Sequence, residues 1–174
     1  MRKLFFLSIL LLPLFSFAQK LEENKVDEFT GASVKRTSWE VLYNNKKTSM
    51  AHFRISRIND FYYFDIKIMV NPPNMVFSIS EEAKMMFILE DKTVYELISA
   101  QYVISSSGGG AINIRGASAQ GATVSYVNNM DENFSELKTN RVTKVRIYTN
   151  DGYTEGDITA KDAQTVMNAI KLVE

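Results

Sequence analysis

"TSMAHFRISRINDFYYFDIKIMV", residues 48–70, decides the fold. Taken with a period of two, Ala51, Phe53 and Ile55 alternate with His52, Arg54 and Ser56. Beyond "Asn59-Asp60", Phe64, Ile66, Ile68 and Val70 alternate with Tyr63, Asp65 and Lys67. Side chains of an extended chain point to opposite faces in turn, so each run has one apolar face and one polar face. Two such runs around a two-residue turn predict an antiparallel hairpin, Thr48–Ile58 with Phe61–Val70, in which Asp60 has to tolerate positive φ.

Strand signals continue on both sides. Upstream, Ser33–Tyr43 is rich in β-branched and aromatic residues and predicts a strand, closed by the polar turn Asn44–Lys47. Residues 19–28, QKLEENKVDE, have little to bury, so residues 19–31 are expected to be a flexible or loosely docked leader. Downstream, "NPPN" at 71–74 interrupts the sheet because proline cannot donate to a ladder. Short strands are expected at Met75–Ile79, Met85–Leu89, Thr93–Ile98 and Gln101–Ile104, and a further pair at Ile112–Arg115 and Thr123–Val127. Asp131–Lys138 could form a short helix with Phe134 and Leu137 on one face, and Val142–Thr149 with Tyr153–Ile158 flank the hairpin signal Asp151-Gly152.

The last element changes period. Thr159 followed by Asp162 is a capping-box variant, and Ala163, Val166, Met167, Ile170 and Val173 recur at helical spacing, which predicts a helix over 159–173 lying on the sheet. The fold class is therefore α+β: an antiparallel, strongly bent sheet or open barrel of about eight to ten short strands with a C-terminal helix packed on it. No repeat or internal linker divides residues 32–174, which are expected to form a single domain.

The chain begins MRKLFFLSILLLPLFSFAQK, with basic Arg2 and Lys3, an apolar run Leu4–Phe17 and small residues at Ser16 and Ala18. This layout predicts a signal peptide over residues 1–18, because the run is shorter than the roughly 20 apolar residues of a spanning helix. Removing 18 of the 174 residues leaves 156, enough for a core without disulfides, and the sequence has no cysteine. With Arg2 and Lys3 gone, 18 basic residues face 20 acidic ones, a net charge of −2. That near-balance, without charge blocks, argues against a nucleic-acid partner.

Chemical motifs are weak. "GASAQGAT", residues 116–123, has the glycine spacing of a phosphate-binding loop, but Ala122 stands where the lysine is needed and strand formers follow instead of a helix. Five of the eight glycines lie between Gly108 and Gly121, which predicts a flexible loop over the sheet edge. His52, the one histidine, lacks the partners of a zinc site and no nucleophile elbow surrounds any serine, so it is expected to be a solvated strand residue. Glu81-Glu82 and Glu90-Asp91 fall in turn-like positions where charge simply stays wet, and the sequence implies neither metal nor cofactor.

Phe61-Tyr62-Tyr63-Phe64, with Trp39 nearby in sequence, offers an aromatic surface. It could form a platform for a sugar or a protein if Trp39 and Tyr63 projected outward together, but cross-strand aromatic packing is the favoured reading, because half-buried strands prefer these residues anyway. The "FSFAQK" boundary and the small, cysteine-free, strand-rich remainder resemble exported proteins of unknown function from Bacteroidetes. That resemblance implies a periplasmic or secreted location and carries no site residues. Many short strands followed by one helix is also similar to pleckstrin-homology-like barrels, a likeness of fold alone.

The expectation is an exported, non-catalytic binding or interaction module. Its contact surface would comprise Trp39, Tyr63, Gly109, Arg115 and Gly116, its ligand a protein or carbohydrate, with no stable membrane span after cleavage. The alternatives are a small metal-independent hydrolase using His52 or a carboxylate pair, and a structural or assembly component of the cell envelope using an exposed sheet edge.

Overall fold

The computed structural model describes residues 20–45, 48–70, 75–112 and 118–174. The expected signal peptide, the NPPN interruption, Arg115 and Gly116 lie outside the described residues. The central hairpin forms as the alternation predicts. β4 (Ser49–Ile58) pairs antiparallel with β5 (Phe61–Val70), placing Ala51 opposite Ile68, Phe53 opposite Ile66 and Ile55 opposite Phe64. All six of these side chains are fully buried. The positive φ of the turn, 53°, falls on Asn59, so Asp60 escapes the conformation expected of it.

β5 is flanked on its other side by β11 (Gln120–Val127), and the main sheet runs through β8 (Val94–Ser99), β7 (Lys84–Leu89) and β12 (Val142–Thr149) to β13 (Gly152–Asp157). On the far side of β4 lie β2 (Ser33–Thr37) and then β1 (Leu21–Val26) at the edge, while β3 (Glu40–Asn45) shares β4 with β2. β10 (Ser106–Ser107) pairs with the start of β11, and β6 (Ser78–Ile79) with β9 (Val103–Ile104) forms a separate two-stranded ribbon. Among the described residues the main sheet thus has eleven strands, against about eight to ten expected. One reason is that the stretch read as a single strand over 33–43 breaks at Ser38–Trp39 into β2 and β3.

A second reason is the leader. Residues 21–26 form β1, paired along its length with β2, where a loosely docked segment was expected. Its polar side chains gave no apolar alternation, but the pairing uses backbone groups. It is closed by a turn in which the Asp27 carboxylate accepts from the N–H groups of Phe29 and Thr30 and from the Thr30 hydroxyl, with Gly31 at φ 72°.

The sheet bends without closing. Register shifts at Leu21/Glu23, Val41/Tyr43 and Val142/Lys144 are bulges, which bend a strand and raise its twist. The bend brings β13 up to β3 and β4 through side chains: the Tyr43 hydroxyl lies 3.1 Å from Ser49 Oγ, which lies 2.6 Å from Thr154 Oγ1. Gly156 makes the approach possible, since a Cβ there would sit 2.1 Å from Tyr43 Cδ2.

The core fills the concave side. Phe53 stacks on Phe64 at 5.4 Å, Phe64 meets Phe87 at 5.3 Å, and Phe134 reaches the same group edge-on at 6.3 Å. Helix α1 (Ala160–Leu172) covers part of this core with Ala163, Val166, Ala169 and Ile170, while Met167 is half-buried at the margin. Thr159 caps it, accepting from the Asp162 N–H at 3.2 Å and donating to the Asp162 carboxylate at 2.7 Å. The helix expected over 131–138 shrinks to a single 3-10 turn at Glu136–Lys138. Phe134 precedes it with φ 56°, and this turn, rather than a helical face, carries Phe134 into the core beside Leu137.

Candidate functional site

The convex side of the central strands holds the candidate site. Along β4 it presents His52, Arg54 and Ser56; β5 adds Tyr63, Asp65 and Lys67, and β11 adds Gly121, Thr123 and Ser125. Alternation in the sequence marks this face as polar, and water would be its natural cover. It is instead covered in part by protein, which buries His52, Ser56 and Asp65 and leaves Thr123 exposed. The connection between β2 and β3 lays Trp39 over it, with the Arg54 guanidinium and the Lys67 ammonium each 4.5 Å from the ring centroid.

The glycine segment covers the neighbouring part. Lys67 Nζ donates to the Ala111 carbonyl at 3.2 Å, and the Thr123 hydroxyl donates to the Gly109 carbonyl at 2.9 Å. The chain can lie this close because a Cβ on Gly110 would be 2.2 Å from the Ile68 carbonyl oxygen and one on Gly121 would be 2.7 Å from Gly110 N. The glycine-rich sequence therefore serves close backbone contact here. The flexible loop expected over the sheet edge is, through residues 108–111, a strap packed on the sheet face.

Asp65, on this face, is only 5% exposed. Its carboxylate accepts from Arg54 Nε at 2.9 Å, Ser56 Oγ at 2.6 Å and Ser125 Oγ at 2.6 Å. Three donors from the two neighbouring strands, Arg54 and Ser56 on β4 and Ser125 on β11, satisfy the charge, which is what burial of a carboxylate requires. Lys67 has a different environment. Burial, followed by repulsion from Arg54, holds its ammonium below the ordinary lysine range, with Glu22 acting in the opposite sense.

His52 is 7% exposed, which corrects the expectation of a solvated histidine. Its cross-strand neighbour Lys67 and its same-face neighbour Arg54 both lie against Trp39, so a polar face is here an enclosed one. Ser, His and Asp share the face without forming a triad. His52 and Ser56 are four positions apart on one strand, about 13 Å at the usual rise, and Ser56 donates directly to Asp65. The carboxylate pairs Glu81-Glu82 and Glu90-Asp91 are exposed in turns. Among the described residues no cluster of three or more His, Cys, Asp or Glu could hold a metal ion, and no helix is long and apolar enough to cross a membrane.

Of the residues singled out in sequence, Trp39 and Gly109 come together on this face, joined through Lys67 and Thr123. Tyr63 is placed apart from them. It is half-buried in a depression of about 320 Å³ with Phe61, Tyr62 and Asn128, and makes no ring contact with Trp39. A joint Trp39–Tyr63 platform is thus not what the fold builds. Arg54, Asp65 and Lys67 were missed as members of the site. A charged residue at every second position between phenylalanine and isoleucine was the available signal, and only the covering strap gives it meaning. No family model matches the chain, and neither a curated protein nor a solved structure shows significant similarity to it.

Proposed function

We propose that the protein is an exported, non-catalytic binding module that engages its ligand where Trp39 and the glycine strap meet over Lys67. The observation that carries this reading is the setting of Lys67. Its ammonium is held between an indole face and a main-chain carbonyl and forms no ion pair among the described residues. An ammonium can donate three hydrogen bonds, so Lys67 has capacity left for an oxygen-rich ligand, such as a carbohydrate or a carboxylate of a protein partner. Catalysis draws less support from the same face, because the Asp65 carboxylate is already engaged by three donors, Ser56 among them. Location outside the cytoplasm is supported by the basic-apolar-small pattern of residues 1–18.

The assembly reading draws less support, because the edge strands β1 and β13 carry Glu22, Glu23, Lys25, Glu155 and Asp157, charges that discourage edge-to-edge pairing. Trp39 is the only tryptophan, so its emission reports on the proposed site directly. Titration with a panel of neutral and acidic oligosaccharides and acidic peptides should shift both Trp39 emission and the melting temperature for one class. Lys67→Met should abolish both shifts while leaving the fold intact. Emission that stays constant across the panel, or a shift that survives Lys67→Met, would refute the assignment.

A further inference from the structure

A second surface lies at the other end of the same strands, where two depressions share the wall Val127, Asn128 and Asn129. The larger, about 520 Å³, runs along Val94, Ile98 and Met130; the smaller, about 320 Å³, runs along Phe61 and Tyr63. Three of these apolar side chains are strongly exposed: Val94 at 57%, Phe61 at 64% and Met130 at 98%. The loop that holds Met130 out is braced. Asn128 Oδ1 accepts from the N–H groups of Met130 and Asp131 at 2.7 and 2.8 Å, and Asn128 Nδ2 donates to the Glu96 carbonyl at 3.0 Å. Asp131 in turn accepts from the Tyr95 hydroxyl at 2.9 Å and from the N–H groups of Ser135 and Glu136. An apolar side chain presented on a hydrogen-bonded loop loses little backbone freedom on binding.

Every charged side chain that lines the two depressions is acidic, while Lys84 beside Glu96 and Arg57 over the Tyr62 ring stand behind the lining. Glu96, Asp131 and Glu136 line the larger and Glu132 the smaller, and no lysine, arginine or histidine lines either. Glu96 is neutralised by Lys84 at 3.0 Å, and Asp131 is occupied with its own loop. Glu132 and Glu136 form no ion pair among the described residues. We infer that this two-lobed surface binds a peptide segment of a partner protein in which bulky apolar side chains are flanked by lysine or arginine. The apolar residues would seat on either side of the Asn128–Asn129 ridge, and the basic residues would meet Glu132 and Glu136. Apolar contact at the centre and complementary charge at the margin is the usual division between affinity and selectivity. This surface lies apart from Trp39, at the Tyr63 end of the strands, and its occupant has the opposite charge preference.

The test uses a fluorescein-labelled peptide of alternating leucine and lysine, and the same peptide with glutamate for lysine, followed by fluorescence anisotropy. The basic peptide should bind and weaken with added salt, and the acidic one should not. The double reversal Glu132→Lys with Glu136→Lys should lower affinity roughly tenfold or more, since each contact turns from attraction to repulsion. Met130→Asp, at a side chain free of the core, should weaken binding as well and serves if the double variant folds poorly. Trp39 emission should stay constant throughout. Equal binding of the two peptides, no binding of either, affinity unchanged by both the reversal and Met130→Asp, or a response of Trp39 would overturn the inference.

Discussion

Removing the buried carboxylate of Asp65 should be among the most damaging single changes to this protein. Asp65→Ala deletes the acceptor of three hydrogen bonds, from Arg54 Nε, Ser56 Oγ and Ser125 Oγ. Bonds to a charged group contribute about 1.5–3 kcal/mol each, so the gross loss is roughly 4–9 kcal/mol. Two considerations reduce it. The serine hydroxyls can rotate to other acceptors, and the Arg54 side chain, 24% exposed, keeps some contact with water. A net loss of about 3–4 kcal/mol remains, the range for breaking a buried ion pair and a large part of the usual ~5–15 kcal/mol of a domain. In urea denaturation with a slope of about 2 kcal/mol per M, the midpoint should fall by roughly 2 M. Arg54→Met combined with Asp65→Leu removes both charges together and should recover most of that loss, giving a strongly favourable coupling in a double-mutant cycle. A loss below about 1 kcal/mol for Asp65→Ala would mean that water reaches the carboxylate, and the covered outer face would have to be abandoned.

Gly156→Ala puts a methyl group 2.1 Å from the ring of buried Tyr43, where β13 meets β3, and should cost about 1–3 kcal/mol in thermal or chemical denaturation. The Tyr126 hydroxyl is buried with no hydrogen-bond partner among the described residues, and burial followed by the nearby Tyr43 pushes its ionisation well above the usual tyrosine range. Tyr126→Phe removes that hydroxyl and should leave stability unchanged or raise it by up to about 1 kcal/mol; a clear loss in a denaturant melt would refute this. For Asp131, burial raises the carboxyl's pKa, but hydrogen bonds from the Glu136 N–H, the Ser135 hydroxyl and N–H, and the Tyr95 hydroxyl outweigh it, so the net shift is downward. A depressed folded-state pKa means that the unfolded chain binds the proton more readily. The stabilisation is complete above the unfolded value near ~3.9 and is lost as pH falls through the folded value. Asp131→Asn should lower stability at neutral pH and flatten its decline below about pH 4, measured by urea midpoints across that range.

Much of the architecture was legible along the chain because its signals are local. The period-two runs of residues 48–70, the Thr159 cap and the helical spacing of Val166 and Ile170 each act within a few residues and formed as expected; the hairpin signalled by Asp151-Gly152 also formed, though with Asn150-Asp151 as its turn and Gly152, at φ 122°, opposite Thr149. The leader was misjudged because β1 is held by main-chain pairing to β2 and by the ion pair of Glu23 with Arg36, neither of which an apolar alternation would signal. Phe134 and Leu137 were rightly grouped, but a backbone turn at positive φ, and no helical face, unites them.

The candidate site was the least legible part. Alternation can say that His52, Arg54, Asp65 and Lys67 share one face of a hairpin, because that follows from the geometry of an extended chain. It cannot say what lies over that face. Trp39 and the strap at Gly109 and Gly110 arrive from distant parts of the sequence, and whether the charges meet water, each other or an aromatic ring is settled by that arrival. Patterning within a strand thus decided the two sides of the sheet, while burial, pairing and proton affinity on the polar side depended on contacts between segments that only the folded chain brings together.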